Sequence, residues 1–220
     1  MIDLAVITGG KAHDVIGFHK LFRNLDGINS YIQHIDDFAS TPEDARDWYD
    51  VVLFFFMMQA GPSDEGLPGY CGQPKSAIEH LGQTGQGIVV LHHALLAYPQ
   101  WSTWNEIVGI ADRHLSTYQH DEKLRIQVVD HSHPITKGLA DWVMVDETYL
   151  MANAAGDNHV LLKTDHQQSM ETVAWVRRNK NNRVFCLQSG HDHQTWEDEN
   201  FKTVLERGIV WSCGGVPPTS

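Results

Sequence analysis

A short apolar strand that runs directly into two histidines most constrains how this chain can fold. The segment Gly87–Leu91 has no polar side chain, and His92 and His93 follow it immediately. An uninterrupted apolar run is typical of a strand that is buried on both faces of a parallel sheet. In an open α/β sheet, ligands collect at the carboxyl ends of such strands. The segment therefore predicts an α/β fold with imidazoles at a strand-to-helix turn, the geometry of a nucleophile elbow.

The amino-terminal half alternates between strand and helix patterns. Apolar runs at residues 2–8 and 50–56 and an alternating pattern at residues 30–35 predict three further strands. Apolar residues at helical spacing follow Val15, and Thr41 before a proline is typical of a helix start. Because strands and helices alternate, we expect parallel strands joined by right-handed crossovers.

The carboxyl-terminal half contains strand patterns with no obvious helices between them. The predicted strands cover residues 124–129, 143–147, 160–162, 172–176 and 183–188. A turn cluster separates the last two and predicts an antiparallel hairpin, and a closing helix begins near Asp198. We expect an α/β fold with a mostly parallel central sheet and this hairpin in the second half. Residues 1–213 are predicted to form one domain, and residues 214–220 a tail.

Composition excludes several classes of protein. The 220 residues carry a formal net charge of −12, so nucleic acids and membrane surfaces are not expected partners. No apolar run is long enough to span a bilayer, and the first residues have no signal-peptide pattern. Three cysteines without regular spacing predict a reducing, cytoplasmic environment. Because the phosphate-binding and dinucleotide motifs are missing from the sequence, no nucleotide cofactor is expected.

Histidines at the ends of three predicted strands point to one site. His13 follows the first strand, His92 ends the fourth, and His191 follows the last. Strand ends in a parallel sheet meet at one crevice, so we expect these imidazoles to lie together, with Glu147 able to join them. Three imidazoles and a carboxylate are ligands for zinc or a similar divalent metal, which makes the three histidines the predicted metal ligands. Asp192 is predicted to orient His191 or another ring by accepting its second N–H.

Four neighbouring residues have less specific expected roles. His93 and His193 point away from their neighbours and are interpreted as supporting or structural residues. Trp101 and Trp196 are expected at the rim of the crevice, where an aromatic ring can cover the apolar face of a sugar. The alternative for both tryptophans is ordinary packing in the core.

Seven short motifs occur in an order that resembles a known family. They are Gly9-Gly-x-x-His13, Val90-Leu-His92-His, Glu106-Ile-Val-Gly109, His133-Pro-Ile-x-x-Gly138-Leu, Asp146-Glu-x-Tyr149, Gly190-His-Asp192 and Arg207-Gly-Ile-x-Trp211. Together they run from the first strand to the last helix. The set resembles the ThuA-like (trehalose-utilisation) family of the class I glutamine amidotransferase-like superfamily.

The resemblance implies both a fold and a field of chemistry. It implies a flavodoxin-like three-layer α/β sandwich and a role in sugar catabolism, including breakdown of trehalose-type disaccharides and 3-keto-glycosides. It places His92 where amidotransferases have their nucleophilic cysteine, and His191 near their catalytic histidine. Because position 92 has no thiol, a thioester route to glutamine hydrolysis is not available, and no glutaminase activity is expected.

The leading hypothesis is an enzyme that acts on a small sugar or keto-glycoside. The predicted catalytic residues are His92, Glu147, His191 and Asp192, and the predicted substrate contacts are Tyr149, Trp101 and Trp196. Glu147 would be the general base or the fourth ligand of a divalent metal such as zinc. Acid–base and metal-assisted chemistry both follow from these residue types, and isomerase, lyase and hydrolase reactions stay open.

Two other classes of function also stay open. One is a non-catalytic sugar-binding or interaction domain, which would lack a convergence of the histidines with Glu147. The other is a non-sugar hydrolase that uses Cys71 or Cys186 as its nucleophile. A homodimer is the expected assembly, because closed two-fold dimers are the commonest oligomers.

Overall fold

The computed structural model describes residues 1–65, 72–154 and 156–215. The amino-terminal half contains β1 (Ile2–Gly9), α1 (Val15–Arg23), β2 (Ile28–His34), α2 (Ile35–Ser40), α3 (Glu43–Arg46), β3 (Val51–Phe56), α4 (Pro74–Thr84), β4 (Gly87–Leu91), a 3₁₀ helix (His92–Leu96) and α5 (Ser102–Val108). The carboxyl-terminal half contains β5 (Thr117–Val128), β6 (Trp142–Leu150), β7 (His159–Thr164), β8 (Thr172–Asn179), β9 (Asn182–Leu187), α6 (His193–Trp196) and α7 (Glu199–Ser212). Among the described helices, none is both long enough and apolar enough to cross a membrane.

The nine strands of the described residues form one mixed sheet, in the order β2-β1-β3-β4-β9-β8-β7-β5-β6. The four pairings from β2 to β9 are parallel, and the four from β9 to β6 are antiparallel. The prediction of a mostly parallel sheet is therefore wrong. Parallel neighbours need a crossover, usually a helix, whereas the described chain from β5 to β9 has no helix and folds back on itself.

Helices cover both faces of the parallel half of the sheet. Alternate residues of β3 point to opposite faces, so Val52 and Phe54 lie in one hydrophobic core while Val51 and Leu53 lie in the other. Helices α2, α4 and α5 complete the first core, and α1 and α7 complete the second. Because both faces are covered, β3 and β4 are buried along their whole length. The α/β architecture predicted from the sequence is confirmed.

Two of the strands that extend beyond their predicted limits reach the functional site. β5 begins at Thr117 instead of residue 124, with a register shift between Gln119 and Glu122. This first part of β5 is largely exposed, so its polar sequence lacks the apolar alternation by which strands are predicted. β6 continues to Leu150, so Glu147 lies within the strand rather than at its end.

Candidate functional site

A cavity of about 530 Å³ opens at the carboxyl ends of the parallel strands. This volume is within the range of about 300–1,000 Å³ that is usual for small-molecule sites. The polar residues of its wall are Lys11, His13, Asp14, His93, Tyr118, His120, Glu147, Tyr149, His191 and Asp192. They come from the turns after β1, β4 and β9 and from strands β5 and β6, so the cavity lies where the strand-end rule predicts a ligand.

His92 occupies the turn between β4 and the 3₁₀ helix in a strained conformation. Its φ of +51° is in the left-handed region, which is sparsely populated by residues other than glycine. The ring is fully buried, stacks on Tyr149, and places Nδ1 2.6 Å from the carbonyl oxygen of Gln188. Because a carbonyl can only accept a hydrogen bond, Nδ1 carries a hydrogen, and Nε2 faces the cluster described next. His92 therefore lies behind the cavity wall and supports it.

The carboxylate of Glu147 is the centre of a compact polar cluster. Its Oε2 lies 3.0 Å from His92 Nε2, 3.1 Å from His191 Nδ1 and 2.8 Å from the Tyr149 hydroxyl. The Tyr149 hydroxyl is also 2.8 Å from His92 Nε2, and the other carboxylate oxygen lies 3.1 Å from His120 Nδ1. Both oxygens of a side chain that is only 3% exposed are therefore engaged by side chains that can donate hydrogen bonds.

These contacts change the acid–base properties of the cluster. Burial alone would raise the pKa of Glu147, but hydrogen bonds from His191, His92 and Tyr149 outweigh it and hold that pKa well below the ordinary range. Burial, together with the charge of Glu147, raises the pKa of Tyr149 well above its usual value. At neutral pH the cluster thus contains an ionised carboxylate and a protonated phenol.

The pKa of His191 is expected to depend on Glu147. Burial lowers this pKa, but the hydrogen bond and the charge of Glu147 outweigh burial and raise the pKa above its ordinary value. Because the folded-state value is raised, the pair contributes stability that is present at low pH and is lost as pH rises through the folded pKa. In Glu147→Gln we expect a lower His191 pKa, measured by NMR titration of the ring, and Glu171→Gln on the surface is the control. An unchanged value in Glu147→Gln would contradict the coupling.

β6 is the edge strand of the sheet, yet hydrogen bonds fasten it to the residues that follow β9. Gln188 Nε2 donates to the carbonyl oxygen of Glu147 at 3.0 Å. Asp146, which is 3% exposed, accepts from the backbone N–H groups of Gly190 at 2.9 Å and His191 at 3.0 Å. These hydrogen bonds place Glu147 beside His191, although β6 and β9 are not neighbours in the sheet.

Two predicted site residues occupy other positions than expected. Asp192 lines the cavity, but its carboxylate accepts the backbone N–H of Gln194 at the start of α6, and Glu147 is the carboxylate that contacts the His191 ring. His13 also lines the cavity, but its ring packs edge-on against Phe18 and stands apart from the cluster around Glu147.

The predicted aromatic rim is formed by a different residue. Trp196 is buried, donates its indole N–H to the carbonyl oxygen of Gly190 at 2.9 Å, and does not line the cavity. Trp101 is half-buried and packs against Tyr98, also away from the cavity wall. Tyr118 on β5 is the exposed aromatic side chain of the wall.

Sequence reasoning missed three residues of the cavity wall. His120 is absent from the predicted site residues, although it shares with Tyr118 the alternate positions of β5 that face the site. His93 was assigned a supporting role, but it lines the cavity and its Nε2 lies 2.6 Å from Lys11 Nζ. Lys11 follows directly after the Gly-Gly turn that ends β1, and this position at a strand end is the sequence signal that could have placed it at the site. Burial, with the charges of His92 and Lys11, holds the pKa of His93 far below its usual value.

The cysteines described in the structure lie away from the cavity wall. Cys186 is fully buried within β9, and burial raises the pKa of its thiol well above the usual range. Cys213 contacts the carbonyl oxygen of Val210 on α7. Cys71, the other candidate nucleophile, lies outside the described residues.

Four residues could hold a metal ion. Ligand atoms of His92, His93, Glu147 and His191 all lie within 4.8 Å of one another. In a tetrahedral zinc site with bonds of about 2.0–2.1 Å, ligand atoms are separated by about 3.3 Å. Three of the atoms, His92 Nε2, Glu147 Oε2 and His191 Nδ1, are already 3.0–3.2 Å apart. The donor set thus fits a divalent cation, with His93 in place of the predicted His13.

Comparison with known proteins identifies the family. The sequence profile of the ThuA family, described as trehalose utilisation, matches residues 49–212. The chain belongs to the ThuA family. No curated protein sequence matches it. Membership supports a role related to trehalose utilisation.

Solved structures show the same fold. A ThuA-like protein from Parabacteroides merdae is 18% identical over 100% of this chain and 92% of its own, with a TM-score of 0.74. A ThuA-like protein from Bacteroides uniformis is 19% identical over 98% of this chain and 94% of its own, with a TM-score of 0.74. PurLQS from Thermotoga maritima is 14% identical over 96% of this chain and 99% of its own, with a TM-score of 0.60. At these identities the similarity shows a flavodoxin-like, amidotransferase-type fold.

Proposed function

We propose that this protein is an enzyme of carbohydrate catabolism that removes a proton next to the carbonyl group of a sugar-derived ketone such as a keto-glycoside. The observation that carries the proposal is the Glu147–His191 contact of 3.1 Å on the wall of the cavity. An ionised carboxylate fixed to one imidazole nitrogen makes the other nitrogen a base of suitable strength near neutral pH. Family membership supports a sugar as the substrate class.

His191 is the proposed general base. Its Nδ1 faces Glu147, while its Nε2 has no hydrogen-bond partner among the described residues and remains for a ligand. Glu147 stabilises the imidazolium that forms when His191 takes a proton. Tyr149, whose raised pKa keeps the phenol protonated, is the proposed donor to the carbonyl oxygen, to which its single O–H would turn from Glu147 Oε2 when the ligand binds. His92 touches no ligand in this scheme, and it positions Glu147 and Tyr149 from behind.

Removal of a proton fits the site better than two-carboxylate glycoside hydrolysis does. Glycosidases generally use a pair of carboxyl groups on either side of the scissile bond. Of the other carboxylates on the cavity wall, Asp14 accepts the N–H of Gly17 and Asp192 that of Gln194, each at a helix start. Both therefore have structural partners, and Glu147 is the carboxylate surrounded by proton donors. Glutaminase activity is not proposed, because His92 occupies the elbow position.

The proposal also differs from a non-catalytic sugar-binding domain. Such a domain could use an aromatic side chain such as Tyr118, which lines this cavity, but it would not need histidines gathered around a buried carboxylate. The convergence of His191, Tyr149 and Glu147 on the cavity wall supports chemistry instead. Screening keto-disaccharides for turnover tests the proposal, with His191→Ala as the inactive variant. His193→Ala is the matched control, because that histidine is exposed and lies outside this cavity. Equal turnover by both variants would contradict it.

A second candidate is metal-assisted chemistry at the same site. It is favoured by the four ligand atoms within 4.8 Å of one another. A bound divalent cation would polarise a carbonyl oxygen, while the chain's own residues would still bind and orient the sugar. The two mechanisms share Glu147 and His191 and differ in their need for a metal.

Metal binding can be tested directly. We expect the protein to bind about one equivalent of Zn²⁺ in calorimetry, with loss of one imidazole weakening binding by at least roughly tenfold. His92→Ala and His191→Ala should both show this loss, whereas His193→Ala should bind like the wild type. Binding that is equally tight in all three variants would place the metal elsewhere and remove this candidate.

A further inference from the structure

We propose that Lys11 and His93 form a subsite for an anionic group, a carboxylate or a phosphate, on the sugar-derived ligand of this cavity. The inference rests on the proposed function only in taking a sugar as the ligand. It adds the chemical class of that sugar, which would be a sugar acid or a sugar phosphate.

The lysine is held in place by a buried histidine. Lys11 Nζ lies 2.6 Å from His93 Nε2, and both residues line the cavity. An ammonium group has only donors, so His93 Nε2 must accept and the ring is neutral. His93 is 3% exposed, and its ring packs edge-on against Phe55 and His92. A fixed ring thus keeps an otherwise flexible side chain at the cavity wall.

The backbone before Lys11 supports this position. Gly10 has a φ of +72°, and a Cβ at that residue would lie 2.5 Å from the carbonyl oxygen of Met57. Only glycine fits such a turn, which packs the loop after β1 against the chain that follows β3. Lys11 therefore leaves the turn next to the cavity rather than on a freely extended loop.

The charge of Lys11 is not balanced by a carboxylate. Among the described residues it forms no ion pair, and its only hydrogen bond is with the neutral His93 ring. The three carboxylates of the cavity wall have donors of their own. Asp14 and Asp192 each accept a backbone N–H at a helix start, and Glu147 is surrounded by imidazoles and Tyr149. An anionic group on the ligand would supply the missing counter-charge and accept a charge-assisted hydrogen bond.

The expected effect is a preference for anionic over neutral sugars. A net hydrogen bond between charged groups corresponds to about a 10- to 100-fold difference in affinity. We therefore expect D-glucuronate or D-glucose 6-phosphate, or both, to bind about 10- to 100-fold more tightly than D-glucose. A preference for only one of them would identify carboxylate or phosphate as the group that the subsite takes.

Calorimetric titration of the three sugars tests the proposal. Lys11→Met should remove the preference for the anions, and Lys11→Arg should retain it. Lys20→Met is the matched control, because Lys20 is an exposed lysine outside this cavity. Equal affinity of the wild type for all three sugars, no binding of either anion, or a preference that survives in Lys11→Met would each overturn the proposal.

Calorimetric titration together with turnover assays of Glu147→Gln and Lys11→Met separates this proposal from the proposed reaction. Glu147→Gln should lose turnover of keto-disaccharides but keep the preference for anionic sugars. If Glu147→Gln stays active while Lys11→Met loses the preference, the reaction assignment fails and the subsite stands. If Glu147→Gln is inactive while Lys11→Met keeps the preference, only the subsite fails.

Discussion

Replacement of Glu147 by glutamine is expected to lower kcat by about 10²- to 10⁴-fold. The amide keeps the size of the side chain, but it cannot stabilise the imidazolium form of His191, whose Nδ1 lies 3.1 Å from the carboxylate. The amide also replaces one carboxylate oxygen with an NH₂ group, which cannot accept a hydrogen bond. Glu147 Oε2 accepts one from the Tyr149 hydroxyl at 2.8 Å. Steady-state kinetics with a keto-disaccharide would measure the loss.

The control for this variant is Glu171→Gln. Glu171 is exposed and pairs with Lys163 at 2.8 Å on the surface, so its replacement should leave kcat unchanged. A surface pair of this kind contributes little to stability, so Glu171→Gln should keep the wild-type fold. A kcat for Glu147→Gln within a factor of a few of the wild type would refute the proposed role of the carboxylate.

Replacement of Asp146 by asparagine is expected to have the second largest effect. The carboxylate accepts hydrogen bonds from the backbone N–H groups of Gly190 and His191, one on each oxygen. In asparagine an NH₂ group replaces one of these oxygens, so one backbone N–H would face another donor. Loss of supporting contacts of this kind typically costs about 10- to 100-fold in activity. We expect kcat to fall by about that factor with a smaller change in KM, because Asp146 positions His191 and is absent from the cavity wall.

Amide hydrogen exchange gives a readout that does not depend on activity. In Asp146→Asn the amides of Gly190 and His191 should exchange faster than in the wild type, because an acceptor is lost. The matched control is Asp130→Asn, since Asp130 accepts the N–H groups of Ser132 and His133 in a loop away from the cavity. That variant should affect its own loop and leave kcat unchanged. Unchanged exchange at Gly190 and His191 in Asp146→Asn would contradict the positioning role.

Much of the site follows from the order of strands in the sequence. His92 and His191 end up close together because β4 and β9 are parallel neighbours, and the residues that follow two such strands share one edge of the sheet. The strained turn at His92 also agrees with the expected elbow. These features depend on local pattern and on a general rule of α/β folds, which is why they can be predicted.

Other parts depend on long-range geometry that no local pattern contains. Glu147 reaches His191 only because the antiparallel half of the sheet curls back and Asp146 fastens it there. His120 joins Glu147 through the irregular start of β5, whose polar sequence does not resemble a strand. The parallel character of the sheet was overestimated for the same reason, since the pairing partners of β5 to β8 are set by folding back rather than by crossovers.

Competition between nearby groups explains the misplaced side chains. Trp196 was expected on the cavity rim, but its indole N–H finds the carbonyl oxygen of Gly190 and its ring packs against Phe18. Asp192 is predicted to orient His191 or another ring, but its carboxylate accepts the N–H of Gln194 at the start of α6. In both cases the sequence position was adjacent to the site, and a local hydrogen bond turned the side chain away from its expected role.

Exchange of hydrogen for deuterium next to the carbonyl of a 3-keto-disaccharide, followed by ¹H NMR in D₂O, tests the central claim most directly. We predict that the wild type accelerates loss of this C–H signal, that His193→Ala does so at the same rate, and that Glu147→Gln and His191→Ala do not. Turnover by the wild type without such exchange would point to hydrolysis. Exchange at the wild-type rate in both site variants would show that the Glu147–His191 pair is not the base.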